Sequence, residues 1–249
     1  MNVRLAGLAE PRQGISRERQ MFSNQSLKEL ITPLFGEQLL AVLVGVADTF
    51  MVSYAGEAAV SGVSLVNMFN TVFIYLFSAL GAGGAVVVSQ YIGSRDRKNA
   101  GFSGGQLLMI SALFSVTVMA AVLLCQRPLL RLLFGEVEPD VMTACLTYLR
   151  ISAYSYPAIA LYEAGAAVYR SMGKTRVTMY IALIANGIYV AGNALGVFVF
   201  HAGVAGVAWP SLAARCFSAV VMTVLCFRET SIIRIRWRDF FCLDKGMVR

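Results

Sequence analysis

Six long apolar runs separated by short polar stretches organise this chain, over residues 31–53, 63–92, 103–125, 141–166, 177–200 and 204–227. Each reaches or exceeds the roughly 20 residues that a helix needs to cross the hydrocarbon core of a bilayer. None alternates apolar and polar positions as a barrel strand must, and each is about twice as long as such a strand. Helices are then the remaining way to satisfy backbone N–H and C=O groups in lipid. The pattern predicts an all-α integral membrane protein with six transmembrane helices. The second run is long for one straight span, and Gly81, Gly83 and Gly84 mark where a bend is expected.

Composition strengthens the membrane reading: 57% of residues are hydrophobic and only 14% charged, against about 25% charged in soluble domains. The net charge of +7 raises the question of nucleic acid, but the basic residues sit in clusters between apolar runs, so no nucleic-acid partner is expected. Of 21 Lys and Arg, seventeen fall on one side of the predicted spans: in residues 1–30, at Arg95, Arg97 and Lys98, at Arg170, Lys174 and Arg176, and from Arg228 onward. The opposite side holds Arg127 and Arg131, beside Glu136, Glu138 and Asp140. Both termini are therefore expected in the cytoplasm of a multi-pass protein of the plasma (inner) membrane. The expected divisions are a cytoplasmic segment over 1–30, a transmembrane lobe over 31–227 and a basic stretch over 228–249. Met1 to Lys28 lacks the apolar core of a cleavable signal, so the first span is expected to direct insertion. In the last segment Ile233, Trp237, Phe240 and Phe241 recur at three- and four-residue spacing, which fits either an interfacial helix or an ordinary juxtamembrane basic stretch.

The first span carries Pro33, Glu37, Gln38 and Asp48. A carboxylate at membrane depth costs a few kcal/mol, so it usually faces a partner or a watery cavity. Asp48 is the leading functional candidate, with a structural hydrogen-bonding role as the alternative. Glu37 lies eleven residues earlier, within about 20° of the same helix face; it either shares that cavity or snorkels to the interface. Glu163 either joins the cavity or pairs with Arg170, seven residues on. Asn186 and Asn193, one heptad apart, fit interhelical hydrogen bonding as well as ion binding. Arg150 and Arg215 read as structural counter-ions or interface anchors. Cys125, Cys145, Cys216, Cys226 and Cys242 form no C-x-x-C pair and no ligand set with His201, so neither a metal nor a redox centre is expected. For Cys125 and Cys145, both near the outer surface, a disulfide is one reading and apolar filling the other. No P-loop, G-x-S-x-G or H-E-x-x-H is present, and the chain does not read as an enzyme. Transport, if active, would then draw on an ion gradient or a partner rather than on a bound cofactor.

Several stretches, taken in order, resemble the multidrug and toxic compound extrusion (MATE) transporters. Pro33, Gln38 and "VADTFMVS" around Asp48 resemble the family's first helix, and "GEAAVSGVSLVN" (Gly56 to Asn67) the opening of its second. "SQYIGSRD" (Ser89 to Asp96), "YLRISAYSYP" (Tyr148 to Pro157), "YRSMGKTR" (Tyr169 to Arg176) and "GVAGVAWPS" (Gly203 to Ser211) continue the match. The resemblance implies a fold of two six-helix lobes, of which only the first, with the start of the interlobe linker at 228–249, is present here. It implies a cation-coupled antiporter that exports cationic, amphipathic drugs or toxic compounds.

The resemblance also implies a cation site around Asp48, with Asn193 where some members carry a second aspartate, Tyr189 where many carry asparagine, and Ser211 at a hydroxyl position. Glu37, Gln38, Asn67, Glu163 and Asn186 are the expected substrate-cavity residues. The departures at Asn193 and Tyr189 leave fewer oxygen ligands than a hard cation wants, which favours proton over sodium as coupling ion. The expected partners are membrane lipid, a small-molecule substrate and a second lobe, from another copy or a separate chain. Two rival readings stand beside this one: a flippase for lipid-linked sugars of the same fold superfamily, and a truncated remnant or assembly subunit inactive alone.

Overall fold

The computed structural model describes residues 24–54 and 56–228, with side chains from residue 31 onward. The expected interfacial helix around Trp237, and Cys242, lie outside the described residues. Every element described is helical: α1 (Asn24–Ser53), α2 (Glu57–Gly93), α3 (Arg97–Phe134), α4 (Pro139–Tyr154), α5 (Tyr156–Ser171), α6 (Thr175–Ala194), a single π turn (Leu195–Val199) and α7 (Gly203–Phe227). α1, α2, α3, the α6–π unit and α7 are each long and apolar enough to cross a membrane.

The fourth predicted span departs from expectation. In place of one helix over 141–166 there are two 16-residue helices, α4 and α5, that meet at Ser155. Pro157, which lacks an N–H, lies in the first turn of α5, where that N–H would have no acceptor within the helix. Ser155 closes the break by donating its Oγ to the Ser152 carbonyl at 2.6 Å.

α2 runs as one continuous helix for 37 residues through Gly81, Gly83 and Gly84. Two of these glycines serve close packing. A Cβ on Gly81 would stand 3.1 Å from the Glu163 carbonyl oxygen, and one on Gly84 would collide with the Leu107 side chain. At about 55 Å, α2 exceeds the hydrocarbon thickness, so it tilts or projects past it. α3 starts where the Asp96 carboxylate caps it, accepting from the Asn99 backbone N–H at 3.1 Å.

α2 is the centre of the bundle, packed on α3, α4 and α5; α5 in turn packs on α3 and α7, and α6 on α7. α1 stands at the edge, against α6, and leaves Phe35, Val42, Val46 and Phe50 each more than 60% exposed. One apolar cluster gathers around Phe77, Tyr148, Leu149 and Tyr156, a second around Leu108, Ala164, Val168 and Met222. Two buried tyrosines tie α4 and α5 to α2: Tyr148 donates to Asn67 Oδ1 at 3.0 Å and Tyr156 to Asn70 Oδ1 at 2.8 Å. The four described cysteines are free; Cys145 is buried and Cys125 exposed.

Candidate functional site

α1, α2, α4, α5, α6 and α7 line an open cavity of about 710 Å³. One face of α1 supplies Glu37, Ala41, Gly45 and Asp48, spaced by four, four and three residues as a single helical stripe requires. α6 presents Asn186 and Tyr189 from a stripe of the same kind, and α7 presents Ser211, Arg215 and Ser218. Asn67 faces in from α2, Tyr148 from α4 and Tyr162 from α5.

Asp48 is the best-connected carboxylate here. Asn193 donates Nδ2 to its Oδ1 at 2.9 Å, and Tyr189 is in hydrogen-bonding contact with both Asp48 and Asn193. Arg215 lies within electrostatic reach of Asp48 while its Nη1 donates to Ser155 Oγ at 2.8 Å. Asn193 itself is fully buried behind the cavity wall.

Its position follows from how α6 ends. Immediately after Asn193 the helix widens into the π turn, closed by the Phe200 N–H on the Leu195 carbonyl at 3.0 Å. π turns of this kind are frequent at functional sites. Glycines let α7 approach this end closely: a Cβ on Gly192 would meet Pro210 Cβ at 2.7 Å, and one on Gly196 would collide with the Gly206 carbonyl. The approach brings α7, with Ser211 on the cavity wall, against the end of α6 that holds Asn193.

Six of the nine sequence-predicted residues line the cavity: Glu37, Asp48, Asn67, Asn186, Tyr189 and Ser211. Asn193 reaches it through Asp48. Two others do not belong to it. Gln38 is exposed on another face of α1, and Glu163 lies in a separate groove of about 320 Å³ between α2 and α5, paired with Arg170 at 3.4 Å. In both cases the next residue along a helix is turned by about 100°, which carries it off the stripe of Glu37 or Tyr162. Sequence reasoning missed Tyr148 and Tyr162 and read Arg215 as a structural cation. A signal for Arg215 was available, since Ser211, Arg215 and Ser218 recur at i, i+4 and i+7 in an otherwise apolar helix.

Charge on the cavity wall is two carboxylates, Glu37 and Asp48, against one guanidinium, Arg215, among the described residues. A low-dielectric cleft with this balance concentrates cations.

A MatE family profile matches residues 33–195. The chain belongs to the MATE family. Among its relatives, the uncharacterized transporter YisQ of Bacillus subtilis is 30% identical, over 90% of this chain and 50% of its own length. The probable multidrug resistance protein NorM of Thermotoga maritima is 25% identical, over 90% of this chain and 47% of its own. The fold matches the outward-facing structure of a multidrug resistance MATE transporter of the MOP superfamily, with a TM-score of 0.83 at 21% identity, covering 90% of this chain and 49% of that one. This MATE chain therefore spans about half the length of the curated relatives it matches. YisQ is named as a transporter and NorM as a probable multidrug resistance protein.

Proposed function

We propose that this chain is one lobe of an antiporter of the plasma membrane that exports cationic, amphipathic compounds, with a proton rather than sodium as the coupling ion. Asp48 is the coupling residue, held by Asn193 and Tyr189, with Ser211 on the wall of the same cavity. The observation that carries this reading is the placement of Asp48: an intramembrane carboxylate on the wall of a six-helix cavity, with its own hydrogen-bond partners. The proton is favoured because the groups nearest Asp48 are an amide N–H, a phenol and a guanidinium rather than a cage of oxygens. α4 and α5 together act as a sixth, interrupted span, so both termini face the cytoplasm, in line with the basic residues at Arg95 and Lys174. The second lobe is supplied by another copy or by a separate chain. A flippase for lipid-linked sugars would want a basic cleft, and two carboxylates against one arginine favour the cationic class instead.

The test is Asp48→Asn, which mimics the neutral carboxyl. It is expected to preserve folding, read as an unchanged melting temperature, and to abolish proton-driven dye efflux in reconstituted vesicles. Full coupled transport by well-folded mutant protein would refute the assignment.

A further inference from the structure

Arg215 is a cation inside the bundle with a single anchor. Its residue is half-buried on α7, and a guanidinium carries several N–H donors. Among the described residues its hydrogen bond runs from Nη1 to Ser155 Oγ at 2.8 Å, and it makes no ion pair, unlike Arg170 with Glu163. Ser155 is itself buried, at the point where α4 ends and α5 begins. The same Oγ donates to the Ser152 carbonyl at 2.6 Å, and the Ser155 carbonyl accepts the Ile159 N–H at 2.9 Å to open α5. The backbone ladder is interrupted here, because Pro157 brings no N–H to the last carbonyls of α4. A charged donor reaching over from α7 therefore helps to hold what the backbone does not.

The carboxylate within electrostatic reach of this guanidinium is Asp48 of α1, on the wall of the cavity that both line. Glu37 lies about 16 Å further along α1 and takes its hydrogen bond from Tyr162, not from Arg215. The remaining titratable groups that α2, α4, α5 and α6 turn towards the pair are phenols, Tyr75, Tyr148, Tyr156, Tyr162 and Tyr189, and a phenol ordinarily ionises at about pH 10. In the neutral range, then, Asp48 is the neighbour of Arg215 that changes charge. While Asp48 holds a proton, Arg215 has no anion to prefer over Ser155. Once the proton leaves, a carboxylate in a low-dielectric cavity attracts the guanidinium more strongly than a neutral hydroxyl does, and the flexible stem of arginine lets its head follow.

We propose that Arg215 is a positioning residue that exchanges Ser155 for Asp48 when Asp48 loses its proton, so that the charge on α1 is transmitted through α7 to the α4–α5 junction. This rests on the assignment of the coupling proton to Asp48 given above. The cation that meets the bare carboxylate is then supplied by the protein itself, and its departure from Ser155 loosens the one junction in the bundle that is not a continuous helix.

The experiment follows backbone hydrogen exchange across the junction in the purified full chain in detergent, with no substrate and no gradient, at about pH 5 and about pH 9 and corrected for the intrinsic exchange rate. Ile159, whose N–H bonds the Ser155 carbonyl, is the central reporter. In wild type its protection is expected to fall about tenfold or more from the lower to the higher pH. Asp48→Asn should keep the high protection at both, and Arg215→Gln the low protection at both. Arg215→Lys, which retains the charge, should restore part of the response. Ser155→Ala removes the acceptor and little volume; it should behave as Arg215→Gln does and covers the case in which that variant does not fold. The inference is overturned if wild-type protection does not change with pH, if Asp48→Asn responds as wild type does, or if folded Arg215→Gln or Ser155→Ala keeps the wild-type response. None of these readings requires transport, so failure of the export reading would show in the Asp48→Asn efflux assay and not here.

Discussion

Asn193 is fully buried, yet only one end of its amide is used: Nδ2 serves Asp48, while Oδ1 has no partner among the described residues. That arrangement suits a carboxylate that exchanges a proton, because the amide donor supports the charged form and demands no metal. It also suggests how to change the ion. Asn193→Asp would set a second carboxylate against Asp48 and add hard oxygen ligands where one was a donor. Two like charges in contact should cost roughly 1–3 kcal/mol in the absence of a cation. Sodium should then offset the loss by mass action, with a stabilisation that grows with concentration. The expected result is a melting temperature of the variant that rises when sodium replaces potassium, against no such rise in wild type. Equal sodium responses in both proteins would contradict a proton-coupled Asp48.

At the scale of elements, the α6–α7 contact shows how backbone approach positions the site. Gly196 of the π turn and Gly206 of α7 bring the two backbones so close that no side chain fits between them, whereas a Cβ on Gly187, within α6, would meet nothing within 4 Å. Gly196→Leu is therefore expected to destabilise the lobe by about 1–3 kcal/mol through overpacking, and to reduce coupled transport by displacing Asn193. Gly187→Ala should be neutral or stabilising by about 0.5–1 kcal/mol, since it removes only glycine's extra backbone entropy. Thermal unfolding in detergent, with transport measured alongside, checks both; similar behaviour of the two variants would mean that the contact does not position the site. These glycines also mark what a sequence can and cannot convey. The end of α1, the limits of α7 and the shared face of Glu37 and Asp48 follow from hydropathy and the 100° step alone, whereas α1 starts at Asn24, seven residues before the apolar run. Whether Gly81 and Gly84 bend α2 or let it pack depends on Glu163 and Leu107 facing them, residues that no local pattern identifies. The break at Ser155 lies inside an uninterrupted apolar run, where only Pro157 signalled it. Gln38 and Glu163 were grouped with the cavity by residue type, and one helical step removed each from it.

For the whole molecule, the decisive fact is length: the chain matches about half of each of YisQ and NorM. A single lobe leaves α1 at the rim of the bundle with most of its apolar side chains uncovered, and Glu37 and Asp48 lie on the other face of that same helix. Charged groups facing open lipid are expensive, so an active assembly should close the cavity with a second lobe. Copies of one chain insert the same way up, so parallel pairing of two copies is geometrically allowed. Two measurements test this together. Reporters fused after Arg95 and Lys174 should report the cytoplasm and one near Glu138 the exterior, because seventeen basic residues favour one side. Cross-linking and light scattering on transport-active protein should give a mass of at least two lobes, either two copies or this chain with a separate partner. A cytoplasmic signal at Glu138 would mean that the span count is wrong at α3, and an active monomer would show that one lobe suffices to shield its own carboxylates.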